Sequence, residues 1–483
     1  MNEILNTYIN NIKDKIINST CEIINIPSVF ADDSPIAPFG KDTVRALEYV
    51  LNIGKKFGFR TKNIDNMCGY IEFGKGDKLL GIIGHLDVVP AENNWTYSPF
   101  NATLDNGNIY GRGAIDDKGP VISALYAMKA VADNYKLDKR VRLILGLNEE
   151  NDWKCIERYK QTEEMPDISF SPDANFPCIY AEKTIESLYL KQRYEKNPII
   201  YIEDISTNNN AINVVPKYCS VIIGYDNTKI TNITTKFRKL ISKYNYNIDI
   251  EEIDSSHIKV TSLGISAHAA HPELGQNALS QLLIILNELF SLYNVHLDIL
   301  EYFTKYIGDD YTGKNLKINF KDESGILTLN TAQFFLEDDY LNIGFNLRIS
   351  VTIDYNIIEK EFNKYCNENL EVKVARIQDP LYVKKDDKLV KQLCDIFNDY
   401  NNSNLEPVAI GGGTYARAFN NCISFGPQMP NAKDMCHQTD EYISINNLIF
   451  CTKVYAEAIL ELWFWKHFPF FLILIKICGI IYL

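Results

Sequence analysis

The sequence predicts an α/β protein whose main domain is a mixed, largely parallel sheet flanked by helices, with an inserted α+β domain. Three observations lead there. Short apolar runs end abruptly in polar residues: Leu79 to Ile83 runs into Gly84 and His85, and Val141 to Leu147 into Asn148, Glu149 and Glu150. Between them, Pro120 to Ala132 carries Ile122, Leu125, Met128 and Val131 at helical spacing. Reactive groups just beyond the carboxyl ends of buried strands are the usual site arrangement of α/β sheets. The third observation is a change of texture from Thr184 to Gln378, where strand-like pieces (Leu188 to Leu190, Ile222 to Tyr225, Leu341 to Arg348) alternate with long polar connections. The expected organisation is therefore a discontinuous domain, 1–183 and 379–462, interrupted by an insert at 184–378 and followed by a hydrophobic tail at 463–483.

The remaining elements follow from periodicity. Ile4, Leu5, Tyr8, Ile9, Ile12, Ile16 and Ile17 recur at helical spacing among Asn, Asp and Lys, which predicts one amphipathic first helix and no targeting segment. Leu389, Leu393, Ile396 and Phe397 mark a later helix, and Ile443 to Trp463 a longer one. From Phe468 to Leu483 the chain is apolar except for Lys476, with Trp463, Phe464 and Trp465 just before it. That is short for a spanning helix. Membrane contact, a buried edge element, and a tail foreign to the fold through a reading-frame change all remain open for it.

Composition narrows the function. A chain of 483 residues with 46% apolar and 23% charged residues is globular and too long for a single ordinary domain. With 62 acidic against 49 basic residues the net charge is −13, which repels phosphate backbones and argues against nucleic acid as a partner. The 11 cysteines are scattered, with no C-x-x-C pair. Free thiols in a reducing, cytoplasmic compartment are expected.

The candidate chemistry sits at the predicted strand ends. In His85-Leu86-Asp87 the two polar residues share a side of the strand, so the imidazole can ligate a metal while Asp87 orients it. Gly111-Arg112-Gly113 resembles half a dinucleotide fingerprint, but Asp116 stands where the third glycine belongs. A carboxylate there repels a pyrophosphate and attracts a cation. Glu149 and Glu150 leave their strand on opposite sides, so one can bind metal while the other faces substrate. Asp173 follows another short apolar piece, and His437 lies far downstream. Each alone reads as solvated surface. Together, two histidines and three carboxylates at loop starts suit a dinuclear site for zinc-like metals, with one carboxylate bridging and a spare glutamate as general base. Gly411-Gly412-Gly413-Thr414 lacks the Gly-Lys-Ser/Thr ending of a phosphate loop and reads either as a tight turn or as close backbone approach to a ligand.

The strings GHLDVVP, YGRGAIDDKGP, NEENDWKC, FSPDANFP, SAHAAHPE, NLRISVTIDYN, GGGTYAR and HQTDEYI resemble, in order, motifs of the dinuclear zinc peptidases related to aminoacylase and carnosinase. More narrowly they resemble bacterial dipeptidases of the peptidase V type, over about residues 1–462. The resemblance implies that His85, Asp116 and Asp173 hold one metal and that Asp116, Glu150 and His437 hold the other, with Asp116 as the bridge. It implies Asp87 as the partner of His85, Glu149 as acid/base and His268 as an oxyanion donor from the inserted lid domain. Arg348 would hold the substrate carboxylate, Asn213 would be a further substrate contact, and Gly412, Gly413 and Thr414 would lie against the substrate. His271 departs from the pattern and is expected at the surface.

The implied reaction is dipeptide hydrolysis by a hydroxide bridging two divalent metals, zinc first and manganese or cobalt as alternatives. Glu149 would take up and return the proton. An arginine clamp on the free carboxylate would restrict substrates to short peptides with an open C-terminus, and the large insert resembles the enlarged lid of the monomeric type, so a small peptide substrate and a monomer are expected. The alternatives are a deacylase or desuccinylase of N-acyl amino acids, and an inactive metal-binding protein tethered by its tail.

Overall fold

The computed structural model describes residues 1–31, 34–91, 94–207 and 211–463, with Trp463 described by its backbone. The expectations for the tail from Phe464 to Leu483 lie outside the described residues. Among the described residues, no helix is long and apolar enough to cross a membrane.

The chain divides into two compact units. One comprises Met1–Tyr180, Val383–Val408 and the chain from Thr414 onward; the other comprises Ala181–Tyr382 and Ala409–Gly413. The first crossing falls inside the strand Ile179–Glu182, a few residues before the expected limit at 184. The second falls after Leu381–Tyr382, which pairs antiparallel with Ala181 and Glu182 and so stays with the second unit. Residues 409–413, expected in the first domain, belong to the second. Within that unit Lys183 N donates to the Ile410 carbonyl and Arg348 Nη1 to the Gly411 carbonyl, which hold the segment there.

In the first unit the sheet runs, in spatial order, Arg60–Ile64, Cys68–Gly74, Arg140–Gly146, Leu79–His85, Ile168–Ser171, Cys422–Ser424 and the start of Ile179–Glu182. The four strands from 140–146 to 422–424 are parallel, and the flanking ones are antiparallel. Every residue of Leu79–His85 is buried, as expected for a strand covered on both faces. The helix Lys118–Asn134 links this strand to 140–146 and is buried nearly all round. It packs against the last helix, Ile445–Trp463.

Two sequence expectations change here. The single first helix is two, Glu3–Asn11 and Lys13–Ile24, because Ile12 leaves helical geometry (φ −106°, ψ 10°). The break re-aims the chain: Ile4 is exposed, while Ile16, Ile17, Ile23 and Ile24 are buried. The last helix starts at Ile445 rather than Ile443, because Tyr442–Ser444 forms a strand against Asn108–Tyr110.

The second unit has two four-stranded antiparallel sheets. One is ordered 328–337, 340–349, 184–193, 370–378; the other 200–207, 218–225, 257–263, 247–254. Helices Ala278–Ser291 and Asp298–Tyr306 bury Leu282, Leu286, Leu300 and Phe303 in a core shared with Leu188, Val221, Ile343 and Phe345.

Candidate metal centre

Three parallel strands of the first unit deliver their next residues to one place. His85 closes Leu79–His85, Glu149 and Glu150 follow Arg140–Gly146, and Asp173 follows Ile168–Ser171. Asp116 comes from the loop before helix Lys118–Asn134, and His437 from the loop before strand Tyr442–Ser444. His85 is 1% exposed. Its Nδ1 lies 3.0 Å from the Asp87 carbonyl oxygen, which only accepts, so Nδ1 carries a proton; burial opposes charge on the ring, yet hydrogen bonds to Asp116 and Asp87 raise it well above its ordinary value, and a metal at Nε2 would take the place of a proton. That Nε2 lies 3.0 Å from Asp116 Oδ1 and 3.7 Å from Asp173 Oδ2. His437 Nε2 lies 3.0 Å from the other Asp116 oxygen and 2.9 Å from Glu150 Oε1. Asp116 thus gives one oxygen to each histidine, the geometry of a bridging carboxylate. Donors bound at about 2.0–2.2 Å in a tetrahedral shell stand roughly 3.3–3.5 Å apart, close to these spacings. Ligand atoms of His85, Asp116 and Glu150 all fall within 4.8 Å of one another.

The electrostatics call for cations. Burial drives the Glu149 and Asp173 carboxyls well above the carboxylate range, and neighbouring acidic charges add to the effect. Burial and the Asp116 charge raise Glu150 as well. Partial burial opposes charge on His437, whose side chain is 50% exposed, yet hydrogen bonds to Asp116 and Glu150 push it up to about 11. Burial likewise opposes ionisation of Asp116, but hydrogen bonds from His437 and His85 hold it below the ordinary range. Without a cation these carboxyls are pushed toward holding protons; divalent cations would take the place of those protons and compensate the charge that ionisation exposes. The donor set of imidazole nitrogen and carboxylate oxygen fits metal ions of the zinc class.

Supporting contacts refine the roles of neighbours. Asp87 orients His85 mainly through its backbone carbonyl, while its carboxylate Oδ2 accepts from Glu150 N at 3.0 Å. One residue therefore fixes a ligand on each side. Asp117 Oδ2 accepts from His85 N at 3.1 Å. Trp153 Nε1 donates to the Glu149 carbonyl at 2.8 Å. Tyr415 is buried with its ring edge-on to both His85 and Trp153, and its hydroxyl meets Cys155 Sγ at 2.7 Å. Asp117, Trp153 and Tyr415 escaped the sequence reading as separate functional residues. The signal available was their place inside YGRGAIDDKGP, NEENDWKC and GGGTYAR.

The second unit holds the other expected residues. Val214 and His268 form an antiparallel bridge, and Ala269 N donates to the Asn213 carbonyl at 2.9 Å, so Asn213 and His268 lie on adjoining chain segments. His268 is exposed, and its Nδ1 accepts from Ala270 N at 3.2 Å. Arg348 is buried; its Nε donates to Asn346 Oδ1 at 2.9 Å and its Nη1 to the Gly411 carbonyl at 2.6 Å. Gly412 and Gly413 share this unit, whereas Thr414 belongs to the first, where its hydroxyl meets Ser424 Oγ at 2.9 Å. His271 is exposed and pairs with Glu273.

Imidazoles and carboxylates gathered at the carboxyl ends of parallel strands stand where an α/β sheet places its ligand site, with donors suited to divalent cations. Comparison with known proteins makes the class specific. Residues 81–461 match the peptidase family M20/M25/M40, and the chain belongs to that family. It is a hydrolase acting on peptide bonds. A Bacillus subtilis (strain 168) protein, YtjP, whose name proposes a dipeptidase, is 37% identical over 458 residues, 93% of this chain and 97% of its own. Human carnosine dipeptidase 1 shares the fold at a TM-score of 0.55 and 16% identity, covering 95% of this chain and 99% of its own. A metallo-carboxypeptidase from Sulfolobus solfataricus does so at 0.56 and 17%, covering 93% and 99%.

Proposed function

We propose that this peptidase is a metal-dependent dipeptidase acting on short peptides with a free carboxyl terminus. The observation that carries the reading is Asp116, whose two oxygens face two different histidines, with the half-buried Glu149 next in chain to the ligand Glu150. The near full-length likeness to YtjP supports the dipeptide preference. His85, Asp116 and Asp173 would hold one divalent cation and Asp116, Glu150 and His437 the other, zinc first and manganese or cobalt as alternatives. When bound, such ions lower the pKa of water and polarise a peptide carbonyl.

The chain's own groups supply the rest. Burial favours the protonated form of Glu149, so its carboxylate is a strong base toward an attacking water and can return the proton to the leaving amine. Trp153 fixes its backbone from behind. His268 accepts an N–H at Nδ1, which in the neutral ring leaves the proton on Nε2. A neutral imidazole donating from Nε2 suits a developing oxyanion. Arg348 has its guanidinium plane set by Asn346 and Gly411, a preorganised fork for the substrate carboxylate. Asn213 adds a contact from the segment beside His268, and the backbone at Gly412, Gly413 and Thr414 another.

The test is a panel of dipeptides, their C-terminal amides and N-acyl amino acids, assayed with the zinc-loaded protein. Free dipeptides should be turned over fastest and amides much more slowly. Preference for N-acyl amino acids would replace this reading with a deacylase.

A further inference from the structure

Beside the metal centre lies a buried ion pair that touches no ligand atom. Arg112 is 3% exposed and Glu441 0%, with Nη1 and Oε2 2.8 Å apart. Glu441 Oε1 accepts from Ile115 N at 3.0 Å and from Asp116 N at 3.3 Å, and its backbone carbonyl accepts from Gly111 N. Arg112 Nη1 donates to the Gln438 carbonyl at 3.2 Å, and Nη2 to the carbonyls of His437 at 3.5 Å and Pro90 at 3.4 Å. The guanidinium also lies over the Trp95 ring, 5.0 Å from its centroid. The pair therefore ends on the backbone of two ligands, Asp116 and His437, one through each partner.

Those two ligands are the ones that strands do not hold. His85, Glu150 and Asp173 stand at or just beyond the ends of paired parallel strands, whereas Asp116 and His437 sit in loops. The His437 loop includes two residues in the left-handed region, His437 and Asp440, with φ of +62° and +58°. Arg112 grips the His437 and Gln438 carbonyls within that stretch. Burying an ion pair in place of apolar side chains is often neutral or adverse for folding, so stability alone is a weak account of this one.

We propose that Arg112 and Glu441 are positioning residues that set the affinity of the metal held by Asp116, Glu150 and His437. Each clamps one loop ligand, and the salt bridge ties the two loops together. The metal at His85, Asp116 and Asp173 depends on the pair only through Asp116. This inference rests on the two-metal reading above and assigns the pair no contact with substrate.

Zinc affinity of the full chain, measured by competition with a chromophoric chelator, tests it, alongside thermal unfolding of the metal-free protein. The variants are Glu441→Gln, Arg112→Lys and the apolar double Arg112→Met/Glu441→Leu. Wild type should show two sites. Each variant should weaken the site of Asp116, Glu150 and His437 by about 10–100-fold, the usual effect of losing a partner behind a ligand, and the site of His85, Asp116 and Asp173 clearly less. The double variant should show that selective weakening even where its metal-free unfolding temperature equals the wild type's. Two unchanged sites would overturn the proposal. So would parallel loss of both sites that tracks loss of folded protein and is restored with stability in the double variant. A wild type holding fewer than two zinc ions would instead remove the two-metal reading on which the proposal stands.

Discussion

Glu149 and Glu150 are neighbours in the chain with separate proposed tasks, and substitution should separate them. Glu150 meets His437 within the ligand group, whereas Glu149 is set by the Trp153 contact to its carbonyl. Glu149→Ala should therefore retain two metals by elemental analysis yet lose turnover by about 10²–10⁴-fold, the range for removing a general base. Glu150→Ala should lose metal; the reverse pattern would exchange the two roles. His268 makes a different prediction, because an oxyanion exists only in the transition state. His268→Ala should leave metal content intact and lower kcat by about 10²–10³-fold, with KM changed far less. A change confined to KM would make His268 a binding residue.

The packing beneath the centre turns on Gly146 at the end of Arg140–Gly146. A Cβ there would lie 2.4 Å from the Tyr415 ring and 2.7 Å from its hydroxyl, and Tyr415 is fully enclosed. Gly146→Ala should destabilise the protein by about 1–3 kcal/mol, the range for overpacking, read as a lower urea midpoint. An unchanged midpoint would show that Tyr415 has room to move. This contact also marks the limit of what the sequence discloses. The strand ends that carry His85, Glu149, Glu150 and Asp173 were legible because a buried parallel strand is a continuous apolar run with a sharp polar end. Asp116 and His437 were legible as ligand types and through the resemblance, but their meeting depends on strand Tyr442–Ser444 pairing with Asn108–Tyr110 across more than three hundred residues. No local period reports such a pairing. For the same reason Ile443 and Ser444 read as the start of a helix, and Glu441 and Arg112 as unremarked members of motifs. The break at Ile12 was hidden because apolar spacing continues through it while the backbone turns.

For the molecule as a whole, charge links metal, pH and stability. His437, held up to about 11 by Asp116 and Glu150, is protonated at neutral pH without metal, and burial keeps Glu149 and Asp173 toward their protonated forms. Metal must displace the protons on its ligands, so zinc binding should release protons and tighten as pH rises. Calorimetry in buffers of different ionisation enthalpy measures the number released; none released at pH 7 would contradict the assigned ligands. Because the folded chain alone assembles these ligands, bound zinc should also raise the unfolding temperature. The claim that unites these scales is that turnover requires the metals gathered around Asp116. The most direct measurement is the rate of dipeptide hydrolysis by metal-stripped protein titrated with zinc. The account predicts negligible turnover without metal, restored as two equivalents fill the site. Full turnover by the stripped protein, or none with two zinc ions bound, would contradict it.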